Sequence, residues 1–311
     1  MITKKYVNTI TDEKLENKLF QPENISTLEE LLAAARREYQ TLQKIQSKRR
    51  CNSDRRIKSQ AELESVFDEV KEFVDDYLGF HFKDKPKCSF SRLRDFPDVS
   101  LRRTTNIFYV LGIGEMLISG TDLMSGEPMS FFSIAPAVVL GLAINNHYAI
   151  RNTNAYILES DRILLHREKY ETLVPKLAHE YTHALQGRLH VLSSRRKECR
   201  NFMEGHARGV QRYVARSYWE QKDNPAFMDF TIREDTRELH LAYRLLCDRF
   251  SQQPHKILVK GLPKETIGQK FYRRKNGTVD PHVIGNSLML IHEAQDGNDI
   301  YRQMLQGEYN F

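Results

Sequence analysis

His179 and His183 stand four residues apart in the segment His179-Glu180-Tyr181-Thr182-His183. On a helix that spacing puts both imidazoles on one face a turn apart, where they can converge on one ion. Glu180 falls about 100° round the helix from His179, beside such an ion rather than bound to it. A carboxylate there suits a base that takes a proton from water activated by zinc. Leu177, Ala178, Tyr181, Ala184 and Leu185 form an apolar stripe, which sets the two histidines at the border between core and cleft. The five-residue pattern also arises by chance, so its surroundings decide whether it is a site.

A catalytic zinc takes three protein ligands and keeps one position open. Three residues are candidates for the third ligand: His190, His206 and Glu204. Gly187 and His190 each fall one residue later than the corresponding glycine and histidine of the metzincin pattern. The extra residue turns that glycine away from the metal and disfavours His190. Glu204 lies on a separate helical segment 21 residues after His183. His206 is about 200° round that helix from Glu204, so the two do not serve one ion together.

The segments Leu177-Ala178-His179-Glu180-Tyr181-Thr182-His183-Ala184-Leu185-Gln186 and Met203-Glu204-Gly205-His206-Ala207 resemble the gluzincin branch of zinc peptidases. They are similar in particular to the small group with a His-Glu-x-x-His-Ala-Leu-Gln helix and a Glu-Gly-x-Ala second helix. The resemblance covers residues 150–220 and, more weakly, the C-terminal region. It implies a zincin-like fold, one Zn2+ per chain held by His179, His183 and Glu204, Glu180 as general base, and peptide or protein substrates. It also implies that the hairpin before the helix is the edge of an active-site sheet. Gly205, with no side chain, lets the two helices approach closely beside the ligand.

The stretch Asp280-Pro281-His282-Val283-Ile284-Gly285 resembles an aromatic-or-histidine, x-x-Gly pattern that follows the ligand helix in some of these enzymes. His282 is thereby the candidate for stabilising the oxyanion of the tetrahedral intermediate, although it also fits a capping histidine after a proline. In thermolysin-type members an aspartate four residues after the ligand glutamate orients a zinc-binding histidine. Here that position is Arg208, so the partner that fixes the histidine tautomers must come from elsewhere. Tyr181 and Tyr213 read as packing residues, and the eight histidines other than His179, His183 and His282 need no site.

The elements that must hold these residues are mostly helical, which with a small sheet predicts an α+β fold. Residues 1–25 read as a polar lead-in. A helix begins at Ser26 or Thr27, where Glu29 and Glu30 complete capping boxes, and continues through Leu28, Leu31, Leu32, Ala35, Tyr39, Leu42 and Ile45. After a basic connection at 48–58, a second stripe runs through Leu63, Val66, Phe67, Val70, Phe73, Val74, Tyr77 and Leu78. These two predict an N-terminal helical hairpin, either a separate small domain or one wall of the larger one, in a region 1–100 read as a lid or partner-binding element, ahead of a peptidase domain at 101–311. Two β-prone runs around a polar turn predict a hairpin over 154–166. Pro175 suits the first turn of the next helix and Gly187 its end. Further helices are predicted at 198–220, 233–250, 281–295 and 298–306. The most hydrophobic run, Phe131 to Ile144, is shorter than the roughly 20 residues of a membrane span and reads as buried core or a membrane-dipping hairpin.

Composition narrows the class further. With 40% hydrophobic and 28% charged residues among 311, the chain has the makings of a globular core. Cys51, Cys88, Cys199 and Cys247 include no Cys-x-x-Cys pair, which argues against a zinc ribbon or a disulfide framework and for a reducing compartment. The N-terminal lysines are followed by no apolar stretch, so a cytoplasmic location is expected. The net charge is +6 and the pI about 9. Basic clusters at 48–58, Arg102-Arg103, 195–197 and 273–275 fit solvated loops, or nucleic acid or an acidic surface as partner. A second reading is therefore a zinc-stabilised, non-catalytic protein that binds an anionic partner through its basic N-terminal helices. The presence of Glu180 favours the enzyme, since a scaffold has no need of a base beside its metal.

Overall fold

Apolar residues recur at helical spacing over most of the chain, and helices form where that spacing holds. The computed structural model describes residues 11–49, 55–90, 154–189, 199–255 and 280–306; the apolar run 129–144, His190 and the clusters at 102–103, 195–197 and 273–275 lie outside them. The helices are α1 (Asp12–Leu19), α2 (Asn24–Arg49), α3 (Gln60–Leu78), α4 (Tyr170–Arg188), α5 (Arg200–Lys222), α6 (Ala226–Arg249), α7 (Pro281–Asp296) and α8 (Ile300–Gln306). Three short strands are β1 (Lys87–Phe90), β2 (Ala155–Ile157) and β3 (Arg162–Leu165). The described chain is thus mostly helical with a small sheet. Among the described residues no helix is long and apolar enough to cross a membrane.

The chain divides into two compact units, residues 1–86 with 168–311, and residues 87–167. The N-terminal helices share a unit with the helices of the candidate site. Part of the predicted lead-in is helical. Thr11 caps α1 by accepting from the Lys14 N–H, and Leu15 and Leu19 are buried. Two apolar residues a turn apart are too few to show a period, so only their burial reveals this helix. Asn24 then donates to the carbonyls of Lys18 and Leu19, at 2.8 and 3.1 Å, and α2 starts there, just ahead of the predicted boundary.

Helix α3 matches its stripe: Ser59 accepts from the Glu62 N–H at its start, and Gly79 ends it at φ 74°. The predicted hairpin with α2 is not the main packing, because α2 lies chiefly on α6 and α3 on α4. An amphipathic stripe specifies that a face is buried, not which helix buries it.

In the unit 87–167 the sheet order is β1-β3-β2. β2 and β3 form the predicted antiparallel pair, with Tyr156 opposite Ile163 and a turn through Asp161 at φ 44°. β1 adds a parallel neighbour, Cys88 opposite Ile163, that the sequence pattern does not announce.

At the centre of the larger unit is α4. It begins at Tyr170, well before the predicted start, so Pro175 and Gly187 both lie inside it. Leu173, Val174, Leu177, Ala178, Tyr181, Ala184 and Leu185 are buried. Tyr181 donates to the buried Asp75 of α3 at 2.7 Å and sets its ring edge on Phe67, a packing role.

Charged side chains knit α5, α6, α7 and α8 together. Arg212 meets Asp235 at 2.8 Å and Glu293 at 2.9 Å, and Tyr301 donates to Glu293 at 2.7 Å. Burial alone raises the Glu293 carboxyl, but Arg212 and the Tyr301 hydroxyl outweigh it and hold the group below the usual range. A carboxyl depressed in the folded state adds stability above its unfolded pKa and loses it as pH falls through the folded pKa. Glu293→Gln is therefore expected to cost about 2 kcal/mol at neutral pH, the loss shrinking as the pH falls below about 4. Urea unfolding of both proteins at neutral and acid pH measures this, and an equal cost at both would refute the assignment.

Candidate metal centre

Three helices of the larger unit converge on one point. Helix α4 brings His179, Glu180 and His183, α5 brings Glu204, and α7 brings His282. His179 Nε2 and His183 Nε2 are 3.1 Å apart. Glu204 Oε2 is 3.4 Å from the first and 3.3 Å from the second. Zinc bonds of about 2.05 Å in tetrahedral geometry place neighbouring donor atoms about 3.3 Å apart. The three donors thus have the spacing of one face of such a tetrahedron, with its fourth corner free of them. His190 lies outside the described residues.

Burial and charge oppose one another within this cluster. Burial pushes Glu204 up, but His183, His179 and His282 overcome it and hold the carboxylate well below its usual range. Burial takes His179 down to about 3, the Glu204 hydrogen bond opposing. For His183 burial acts the same way, but the Glu204 carboxylate, with Glu180 adding to it, turns the shift upward. Two ring nitrogens 3.1 Å apart hold at most one proton between them, so the buried carboxylate faces a pair of donors with lone pair to spare. Glu180 is buried, and its charge acts on His183.

His282 completes the group. Its Nε2 is 3.0 Å from Glu204 Oε2, and its ring lies parallel to that of His179 at 6.1 Å. Ligand atoms of His179, Glu204 and His282 all fall within 4.8 Å of one another. Asp280 is the N-cap of α7: one carboxylate oxygen accepts from the His282 backbone N–H at 3.0 Å and meets its Nδ1 at 3.1 Å. Burial disfavours the charged ring, but the bonds to Asp280 and Glu204 prevail and take His282 up to about 10. A protonated imidazole donates from both nitrogens and has no lone pair left for a metal. The cap of α7 is thus Asp280 rather than His282, and the same carboxylate oxygen holds the His282 ring.

A glycine pair sets how closely Glu204 and His282 approach. A Cβ on Gly205 would lie 2.4 Å from the backbone carbonyl of Gly285, and one on Gly285 would lie 1.9 Å from the Asn201 carbonyl oxygen. Helices α5 and α7 therefore touch backbone to backbone beside Glu204 and one turn after His282. The helix admitted most closely by Gly205 is α7 rather than α4.

Arg208 does not orient a histidine. It pairs with Glu238 at 3.0 Å and Glu234 at 3.5 Å on α6. The side chain against His183 is instead Gln186, whose Oε1 is 2.8 Å from Nδ1. Gln186 in turn reaches His206, so that ring has a place after all. Gln186 follows its partner by one helical turn, a spacing open to sequence reasoning, whereas His206 carries no such local sign.

Compared with known proteins, the chain has no significant match to a protein-family model, a curated protein or a solved structure.

Proposed function

We propose that this chain is a zinc-dependent peptidase of gluzincin type. The observation that carries the reading is the set of three donor atoms from His179, His183 and Glu204 at 3.1–3.4 Å from one another, with Glu180 alongside. The donor set, two imidazoles and a carboxylate, suits zinc and leaves room for a fourth position. When bound, zinc would polarise a scissile carbonyl and acidify water. Glu180 accepts the proton of the attacking water and returns it to the leaving amine. His282, held by Asp280, donates from Nε2 to the oxygen that gains charge, a role that requires it to turn from Glu204 to substrate.

The purified protein is expected to hold about one zinc per chain, and Glu204→Gln to weaken that binding by at least about tenfold. Metal analysis with competition by a chromogenic chelator measures both. Wild-type protein that takes up no zinc, or a Glu204→Gln variant with wild-type affinity, would remove the basis of the reading.

A further inference from the structure

We propose that Gln186 and His206 are positioning residues through which a backbone carbonyl of α8 fixes the tautomer of His183. The proposal rests on the metal-centre reading only in treating His183 as a ligand; the hydrogen-bond chain stands independently of it.

Each link allows one direction. The Tyr301 carbonyl can only accept, so His206 Nε2, 2.8 Å away, carries the proton of that ring. His206 Nδ1 is then an acceptor, and Gln186 Nε2 donates to it at 3.2 Å. The same amide nitrogen donates to the Met203 carbonyl at 3.2 Å, another group that only accepts, so the amide cannot be turned over. Gln186 Oε1 must therefore accept from His183 Nδ1 at 2.8 Å. That places the neutral ring's proton on Nδ1 and leaves the Nε2 lone pair facing His179 and Glu204. Gln186 and His206 are fully buried, so water does not compete for these bonds.

The carbonyl at the far end is itself held. The Tyr301 ring fills the space over Gly209, where a Cβ would come within 1.9 Å of it, and its hydroxyl donates to Glu293. A helix 118 residues after His183 in sequence thereby reaches the site through two side chains. His179 differs: its Nδ1 is buried with no hydrogen-bond partner among the described residues. The device acts on one histidine of the pair.

Two measurements on the full chain test this. In metal-free protein labelled with 15N-histidine, at a pH where both rings are neutral, long-range proton–nitrogen spectra should place the proton on Nε2 of His206 and on Nδ1 of His183. A proton on Nδ1 of His206 would overturn the proposal, whether or not the protein binds zinc or cleaves anything. The second measurement compares Gln186→Leu with Gln186→Glu. Both lose the donor to Met203 and His206, so both should lower the melting temperature of the metal-free protein. Only leucine removes the acceptor for His183, so zinc binding should weaken by about 10–100-fold in Gln186→Leu and by no more than about threefold in Gln186→Glu. Equal weakening in the two variants would mean that Gln186 only packs. Absence of zinc binding by the wild type would sink the peptidase reading while the tautomers still decided the relay.

Discussion

Glu180→Gln is expected to abolish peptide hydrolysis and leave zinc in place. The substitution keeps the size of the side chain and its capacity to accept hydrogen bonds, but an amide does not take a proton from water at neutral pH. General-base catalysis contributes about 10²–10⁴-fold, and the variant should lose activity on that scale. Metal content should be retained, because the close donor set consists of His179, His183 and Glu204. The assay pairs cleavage of an unstructured protein with zinc analysis of the same sample. It also separates intrinsic activity from a contaminating protease, which would persist in the variant. Undiminished cleavage by Glu180→Gln would end the peptidase reading, and loss of zinc with activity would make Glu180 a ligand instead of a base.

The largest structural effect should come from Gly285→Ala. The added methyl would meet the Asn201 carbonyl oxygen at 1.9 Å and the Gly205 nitrogen at 2.7 Å, both of them backbone atoms. No rotamer change relieves such a clash, so α5 and α7 must separate. We expect a loss of about 3 kcal/mol or more, at the upper end of overpacking penalties. Because Glu204 and His282 flank the crossing, their 3.0 Å contact should open as well, and hydrolysis should fall further than stability alone explains. Gly297→Ala is the control. That residue has φ 81° with ψ −177°, a conformation essentially reserved for glycine, but nothing within 4 Å of its added carbon, so it should cost about 1–3 kcal/mol of backbone strain and leave the site alone. Urea denaturation with activity under native conditions compares the two. Similar small effects from both would show that the crossing does not set the site.

These two positions also mark how differently features of the molecule can be read from its sequence. Glu180 stands in a local pattern, and helix spacing alone places it beside two histidines. The same local logic places α5, α7 and α8 close to their observed limits, because an apolar period and a breaker such as Gly297 are neighbours in the chain, whereas α6 begins at Ala226, ahead of its predicted start at 233. Gly285 has no local sign of its partner. Its contact with Asn201 and Gly205 joins segments some 80 residues apart.

Long range also explains the expectations that changed. The stripes of α2 and α3 show that each buries a face, but α6 and α4 take those faces, so no hairpin dominates. β1 is four residues long, too short to show alternation, and only its pairing with β3 defines it. Arg208 stands where a supporting carboxylate is anticipated, and the support comes from Gln186 through His206 to the Tyr301 carbonyl, 95 residues after His206. Residue types and their spacing along one helix were enough to single out His179, Glu180 and His183 as one cluster. Which side chains surround those three, and which proton each ring carries, depended on three further helices whose approach is set by packing and not by any pattern within α4.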